Sequence, residues 1–510
     1  MRTFEILLSL LNAMALASLG VPRLRAIGMQ RVFALVPALL AGVQVLTEGS
    51  RPQMIPAYAL ATVFSLVWLY SVAAAERIRV HHLVAALTIA LGTLVLVVSV
   101  AAPIALPVFR FPKPTGPYAV GTVTYDWVDA SRPELFAADP GACRELMAQI
   151  WYPAREDPSK PRVPYLEYAE PVTTALARIV HFPEFFVAHL KYATTNAISR
   201  APVAGGTTAF PVLVFLSGLG GFRSSNTLQI EELVSHGYVV VGLDQPGASA
   251  AVRFPSGRVV SVPPRERIQA LIAQSISPKR PAPILVDRVL ANGVVPYFAQ
   301  DVSFALDRLA ALNRSESGGL LYARLDEGRI GVFGISLGAM VAAEAAHGDA
   351  RIKAALMMDA AMPKDVVGDG LAQPCMWITR PATDMRLERS RTGGWAERDI
   401  LETLSTMQAV FDRHRPGSAY YLDAYGTFHV NFTDAPLWSP FTSLLGITGP
   451  VDGRRMWDIV DAYSLAFFDE YLKGEPQPLL DRPTQRFPEA LLRLRIGAPR
   501  PAVTGPRVEQ

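Results

Sequence analysis

The sequence predicts an α/β architecture, a mostly parallel sheet with helices on both faces, preceded by an α-helical transmembrane region of about four helices. Three observations predict it. Apolar runs at Val212 to Leu216, Val239 to Leu243, Ile330 to Phe333, Ala354 to Met358, Met376 to Thr379 and Tyr420 to Tyr425 alternate with helical material, as strands buried on both faces of a parallel sheet do. Four further apolar stretches crowd the beginning of the chain. Between them in importance, Ser336 stands in Gly334-Ile-Ser-Leu-Gly338, flanked by a strand-like run and an alanine-rich helix.

The four amino-terminal stretches are Ile6 to Leu19, Val32 to Leu46, Ile55 to Ala75 and Leu83 to Val108. Only the last two reach the roughly 20 residues that cross a bilayer core. The first two are shorter and carry Asn12, Pro37 and Gln44. Arg2 followed by an apolar run ending in Ala-Leu-Ala-Ser-Leu-Gly also fits a cleavable signal peptide, but the later stretches would still embed the protein. A multi-pass membrane region over 1–110 is expected, with the lipid bilayer as a partner. Arg23, Arg25, Arg31, Arg77 and Arg79 lie in the first and third connections, against Arg2, Arg51, Arg110 and Lys113 elsewhere. With the larger group inside, the large domain faces outward.

Phe109 to Pro117 reads as a proline-punctuated linker, Gly121 to Val128 as a first strand and Met147 to Trp151 as a second. The catalytic domain is expected over 118–480. Within it, Arg253 to Ala299 interrupts the alternation with several prolines and a charged helix start, a cap-like insertion before a helix from Asp301 to Leu312. Met456 to Leu472 reads as a closing helix with Phe467, Phe468 and Leu472 inward, and 481–510 as a mobile tail.

Half of the 510 residues are hydrophobic (50%) and the net charge is +3, which argues against nucleic acid as a partner. Cysteine and histidine do not cluster at metal-ligand spacing and no glycine-rich phosphate loop occurs, so no metal and no cofactor are expected. Cys143 and Cys375 allow at most one disulfide. Nothing in the sequence sets the oligomeric state.

The Ser336 motif has the pattern of a nucleophile elbow. Its glycines admit a pinched backbone and let strand and helix approach. A serine hydroxyl needs an imidazole to take its proton and a carboxylate to orient that imidazole. Three histidines follow Ser336. His347 ends the helix behind the elbow, His414 falls in a charged helix end where exposure is expected, and His429 follows the last strand on a loop at its carboxyl end. His429 is therefore the candidate base. Asp359 and Asp384 each follow a strand after the elbow, and either suits the acid. Two N–H donors are needed for an oxyanion: Leu337 after the serine, and Leu219 between glycines in Ser217-Gly-Leu-Gly-Gly-Phe-Arg223. Phe222 and Arg223 read as local packing and capping groups.

These blocks resemble the plasma-type platelet-activating factor acetylhydrolases and related dienelactone-hydrolase-like esterases. The resemblance runs through Gln149-Ile-Trp-Tyr-Pro153, Pro211 to Arg223, Ser235 to Asp244, the Ser336 elbow, Met358-Asp-Ala360 and Phe428-His-Val-Asn-Phe432. It implies an α/β-hydrolase fold, Ser336, Asp359 and His429 as catalytic triad, Leu219 and Leu337 as oxyanion donors, and a small-molecule or lipid ester as substrate. It also ranks Asp359 above Asp384, since the family's acid follows the strand after the nucleophile. The chain departs from the family at Ser217 and Gln245, where histidines are common, and in its amino-terminal apolar stretches. Acyl transfer by the same triad, or a non-catalytic membrane protein with a hydrolase-like binding domain, are the alternatives.

Overall fold

Residues 1–20, 27–73, 82–137, 139, 141–206, 208–315, 319–481 and 485–495 are described by this computed structural model. They divide into two compact units. One comprises Met1–Arg110, His181–Ala193 and Trp438–Phe441, and the other Phe111–Val180, Thr194–Leu437 and Thr442–Gln510.

Among the described residues the first unit holds four α-helices, α1 (Thr3–Gly20), α2 (Ile27–Glu48), α3 (Ile55–Ala73) and α4 (His82–Ala105). Among the described residues one segment, Ala86–Ala105, is long and apolar enough to cross a membrane, and Thr3–Ser18, Leu35–Glu48 and Pro52–Val67 are shorter apolar helices. Leu8, Leu16, Phe33, Leu60 and Phe64 are buried among these helices, while Leu39, Leu46, Leu66, Leu87, Leu91 and Leu94 are exposed. Some polar groups are buried too. Arg51 donates two hydrogen bonds to the Glu5 carboxylate at 2.8 and 2.7 Å, and both side chains are fully buried. The segments 181–193 and 438–441 belong here: Gln53 Nε2 donates to the Phe185 carbonyl, and His189 Nε2 lies 2.9 Å from the Trp438 carbonyl. Arg23, Arg25, Arg77 and Arg79, used above to orient the helices, lie outside the described residues.

The second unit is built on an 11-stranded sheet. Its first strands are β1 (Ala119–Pro133), β2 (Cys143–Ala154), β3 (Arg162–Pro164), β4 (Thr194–Ser199), β5 (Phe210–Leu216) and β6 (Val239–Asp244). Two short hairpins follow, β7 (Ala251–Arg253) with β8 (Val259–Ser261) and β9 (Ile284–Leu285) with β10 (Arg288–Val289). The sheet then continues with β11 (Leu325–Ile335), β12 (Ile352–Met358), β13 (Cys375–Thr379), β14 (Ala419–Ala424) and β15 (Ala490–Leu494). The order is β15-β14-β13-β12-β11-β5-β6-β2-β1-β4-β3. From β14 to β6 all pairings are parallel, and antiparallel pairs flank that block.

Each central strand serves two cores. Val212, Val214 and Leu216 of β5 face one cluster, with Leu213 and Phe215 in the other, the period-2 geometry of a strand covered on both sides. On the first face lie α7 (Arg265–Ile276), α8 (Val295–Ser315) and α9 (Leu337–Gly348), following α5 (Ala169–Ile179) and α6 (Thr227–Ser235) in the chain. On the other, α6 packs with a helix at Gly453–Phe468, where Phe467, Phe468 and, one turn on, Leu472 are buried.

Several sequence expectations change. β1 and β2 are longer than the runs 121–128 and 147–151, because the two strands pair from Ala119↔Ala154 to Asp129↔Arg144 and carry polar residues within the ladder. The insertion expected over 253–299 overlaps α8, which starts at Val295 with Pro296 in its first turn, where a missing N–H costs nothing. The expected tail 481–510 contains β15, antiparallel to β14, with Ala490 and Leu492 buried and Phe487 fully so. Flanking prolines and arginines mask that strand in the sequence, and residues 496–510 lie outside the described residues. Cys143 and Cys375 are both free thiols.

Candidate active site

Ser336 occupies the single residue between β11 and α9, with φ +56° and ψ −125°. Positive φ in a non-glycine residue is strained, at about 1–3 kcal/mol. The surroundings enforce it. Ser336 N–H donates to the Met358 carbonyl at the end of β12 at 2.9 Å, and Ala339 N–H returns to the Ser336 carbonyl at 2.9 Å. The flanking glycines have no room for side chains: a Cβ on Gly334 would lie 2.4 Å from the Gly338 carbonyl oxygen. The loop after β5 runs against the turn, since a Cβ on Gly218 would come within 3.1 Å of the Ser336 Cβ.

That loop is closed by its own backbone. Gly220, at φ +74°, donates to the Ala248 carbonyl at 2.8 Å, and Gly221 N–H to the Gly218 carbonyl at 2.9 Å. Just before them the Leu219 amide donates to no acceptor among the described residues, and neither does the Leu337 amide at the start of α9. Both are free to serve an incoming anion.

Asp359 follows β12 directly, also at positive φ (+48°), its N–H bonded to the Ile378 carbonyl at 3.0 Å. Its carboxylate is fully buried and fully used. Oδ1 accepts from the Thr379 hydroxyl at 2.9 Å, while Oδ2 accepts from His429 Nδ1 at 2.6 Å and from Arg380 Nε at 2.8 Å. Burial pushes this carboxyl up, but the Arg380 charge and the bonds from His429 and Thr379 outweigh it and hold the pKa at about 2.

His429 opens a short helical turn, His429–Phe432, after β14. The buried Asn431 pins it, its Oδ1 accepting from the Phe428 and Gly449 amides at 2.8 Å each. The imidazole meets the Trp395 ring nearly edge to face, centroids 5.1 Å apart. Among the described residues no hydrogen bond joins the His429 ring to the Ser336 hydroxyl.

Thus the structure brings Asp359 to His429. Asp384, the other candidate acid, instead accepts the Gly426 N–H at 2.7 Å and braces the loop that carries the histidine. His414 is buried rather than exposed: its Nε2 lies 2.7 Å from the Gln373 carbonyl, a partner far away in sequence. His347 is near Asp369 at 3.5 Å. Phe222 packs on Tyr165, and Arg223 binds Asp244 and Glu167. At the family's second departure, Gln245 donates to Asp301 Oδ2 at 2.7 Å, tying the end of β6 to α8. Among the described residues no His, Cys, Asp and Glu cluster could hold a metal ion.

Sequence reasoning missed Thr379, Arg380 and Trp395. The available signal was Thr-Arg-Pro at 379–381, a cation placed directly after a fully buried strand.

Comparison with known proteins bears on the fold and on the class of enzyme. The profile of the family "Platelet-activating factor acetylhydrolase, isoform II" matches residues 104–269. A platelet-activating factor acetylhydrolase of Gallus gallus is 22% identical over 384 residues, covering 71% of this chain and 84% of the relative. The protein of the same name from Cavia porcellus is 20% identical over 392 residues, covering 71% and 78%. A solved structure, a ferulic acid esterase from Streptomyces cinnamoneus, superposes with a TM-score of 0.57 at 27% identity, over 76% of this chain and 99% of the other. With its parallel sheet, its strained serine turn and these relatives, the chain is a platelet-activating factor acetylhydrolase-like α/β hydrolase, a carboxylic ester hydrolase.

Proposed function

We propose that the protein hydrolyses lipid-like or short-chain carboxylic esters through an acyl-serine intermediate, with Ser336 as nucleophile, His429 as base and Asp359 as acid. The observation that carries this reading is the 2.6 Å bond from His429 Nδ1 to Asp359 Oδ2, formed beside the strand that ends at the Ser336 turn. His429 Nε2 takes the hydroxyl proton as Ser336 Oγ attacks the ester carbonyl. The oxygen that becomes anionic is received by the Leu219 and Leu337 amides. The tetrahedral adduct expels the alcohol, which leaves with the proton from the imidazolium. Water, deprotonated by the same ring, then attacks the acyl-enzyme and releases the carboxylic acid. Apo sites often hold their catalytic partners loosely until substrate arrives, which accommodates the unmade bond between Ser336 and His429.

The catalytic domain on this reading is the sheet-bearing unit from Phe111 through β15, without 181–193 and 438–441, and the helical region 1–110 lies in a bilayer with the catalytic domain on its outer side. The outward leucines of α2, α3 and α4 support that placement, since a large exposed apolar surface needs a non-aqueous cover. A bilayer-bound enzyme would meet amphipathic esters at high local concentration.

The test is Ser336→Ala assayed on a nitrophenyl ester, beside fluorophosphonate labelling of the wild type. Abolished turnover and a labelled Ser336 are expected. Undiminished hydrolysis would overturn the reading.

A further inference from the structure

Arg380, the residue after β13, is used by no step of the reaction above, yet it grips the acid. It is fully buried. Its Nε–H donates at 2.8 Å to Asp359 Oδ2, the same oxygen that receives His429 Nδ1 at 2.6 Å. Its Nη1 pairs with Glu388 of the helix Ala382–Thr392. The guanidinium also lies 5.0 Å from the centre of the Trp395 ring, the ring that meets the imidazole. Asp359 already accepts from Thr379 and His429. A third donor that carries a full charge must give up its hydration to enter a dry site before any pairing repays it.

We propose that Arg380 is a positioning residue of the hydrolysis: it clamps Asp359 against His429 and, balanced by Glu388, sets the charge that the imidazolium meets. This rests on the triad reading. When His429 takes the Ser336 proton, it faces Asp359 and Glu388, both negative, and Arg380, positive: a net of one negative charge. Removing the arginine leaves two negatives and stabilises the imidazolium too well, so the base is protonated up to higher pH. Neutralising Glu388 leaves none and does the reverse. Neither substitution touches the other titratable groups on the elements around this loop. Among them are Asp384, bound to the Gly426 amide, Arg386, Arg389 and Arg391 on the helix of Glu388, the last over the Phe428 ring, Asp434, which caps α6, and Arg454, Arg455, Asp458 and Asp461 of the helix Gly453–Phe468, with burial pushing the Asp434 and Asp461 carboxyls well up.

The experiment is the pH profile of kcat/KM for a nitrophenyl ester, measured on the full-length protein in detergent. Arg380→Gln should move the acid limb up by about one pH unit and Glu388→Gln should move it down by a similar amount. Arg380→Lys keeps the charge without the planar fork, so it should lower kcat while leaving the limb near its wild-type position. A merely structural salt bridge would lower the folded fraction and leave both limbs in place, and that result, or two shifts in the same direction, overturns the proposal. Should Arg380→Gln fail to fold, Glu388→Gln decides alone: a downward shift supports the assignment and an unmoved limb refutes it. Fluorophosphonate labelling of wild-type Ser336 separates the two levels, because an unlabelled serine sinks the triad itself, whereas a labelled serine with unmoved limbs sinks only the role of Arg380.

Discussion

Gly338 sits against Leu216 so closely that a Cβ on the glycine would lie 2.0 Å from the leucine carbonyl oxygen. The first turn of α9 is thereby pressed onto the end of β5, and the strained serine is held between two strands that cannot yield independently. Gly338→Ala should destabilise the protein by about 1–3 kcal/mol through forced backbone displacement. It should also remove fluorophosphonate labelling of the fraction that still folds. Urea unfolding alongside probe labelling checks both, and an alanine variant that labels at the wild-type rate would show that the turn is not under this constraint.

The two candidate acids make opposite predictions. Asp359→Asn should lower kcat by about 10⁴ with the wrong imidazole tautomer stabilised, and should also cost stability because Arg380 loses its buried counter-charge. Asp384→Asn keeps an oxygen for the Gly426 amide and should change kcat by less than about tenfold. Steady-state kinetics on the two purified variants distinguishes them.

Asp359 also sets a pH dependence. Its folded carboxyl titrates at about 2, below the usual value of about 3.9. The contribution to stability is therefore complete above about pH 4 and disappears as pH falls through 2. Melting curves should show the wild type losing its advantage over Asp359→Asn across that interval.

Glu344, on α9, works in the other direction. One of its carboxylate oxygens is buried without a hydrogen-bond partner. Burial first, and then the nearby Asp365, raise its pKa to about 7. A carboxyl raised in the folded state favours folding below its unfolded value of about 4.3, and that benefit is lost as pH rises through 7. Glu344→Gln should flatten the stability profile over this range and be the more stable protein at pH 8, by up to about 3 kcal/mol. Thermal unfolding at a series of pH values reads it directly.

The bilayer placement predicts that the protein stays with the membrane pellet after an alkaline carbonate wash. Leu91→Arg and Leu94→Arg together, on an outward face of α4, should release it or prevent its accumulation, since each charge in the apolar core costs about 2.5–3.5 kcal/mol. Fractionation followed by immunoblotting checks this.

Much of the catalytic sheet was legible in the chain because its central strands are buried on both faces. Continuous apolar runs such as Val212 to Leu216 and Ala354 to Met358 leave few alternatives. The edges were less legible. β4 is short and carries Thr194, Thr195 and Asn196, and β15 hides among prolines and arginines, so neither has a run that distinguishes strand from loop. The same contrast holds at the site. The Gly-x-Ser-x-Gly turn is a local pattern with a local cause, whereas the bonds from Thr379 and Arg380 to Asp359 arise only when β12 and β13 lie side by side. Sequence spacing carries no record of that adjacency.

The helical unit takes in residues 181–193 and 438–441 as well as 1–110. It is therefore completed by pieces that the ribosome delivers late, the last of them after every strand up to β14 has been made. A contiguous amino-terminal unit is finished before the rest of its chain exists, and can be cut off or exchanged. This one is completed only after most of the sheet has been synthesised, so a truncation intended to liberate a free hydrolase would strip partners from two internal segments, and grafting the first 110 residues onto another protein would transplant an unfinished object.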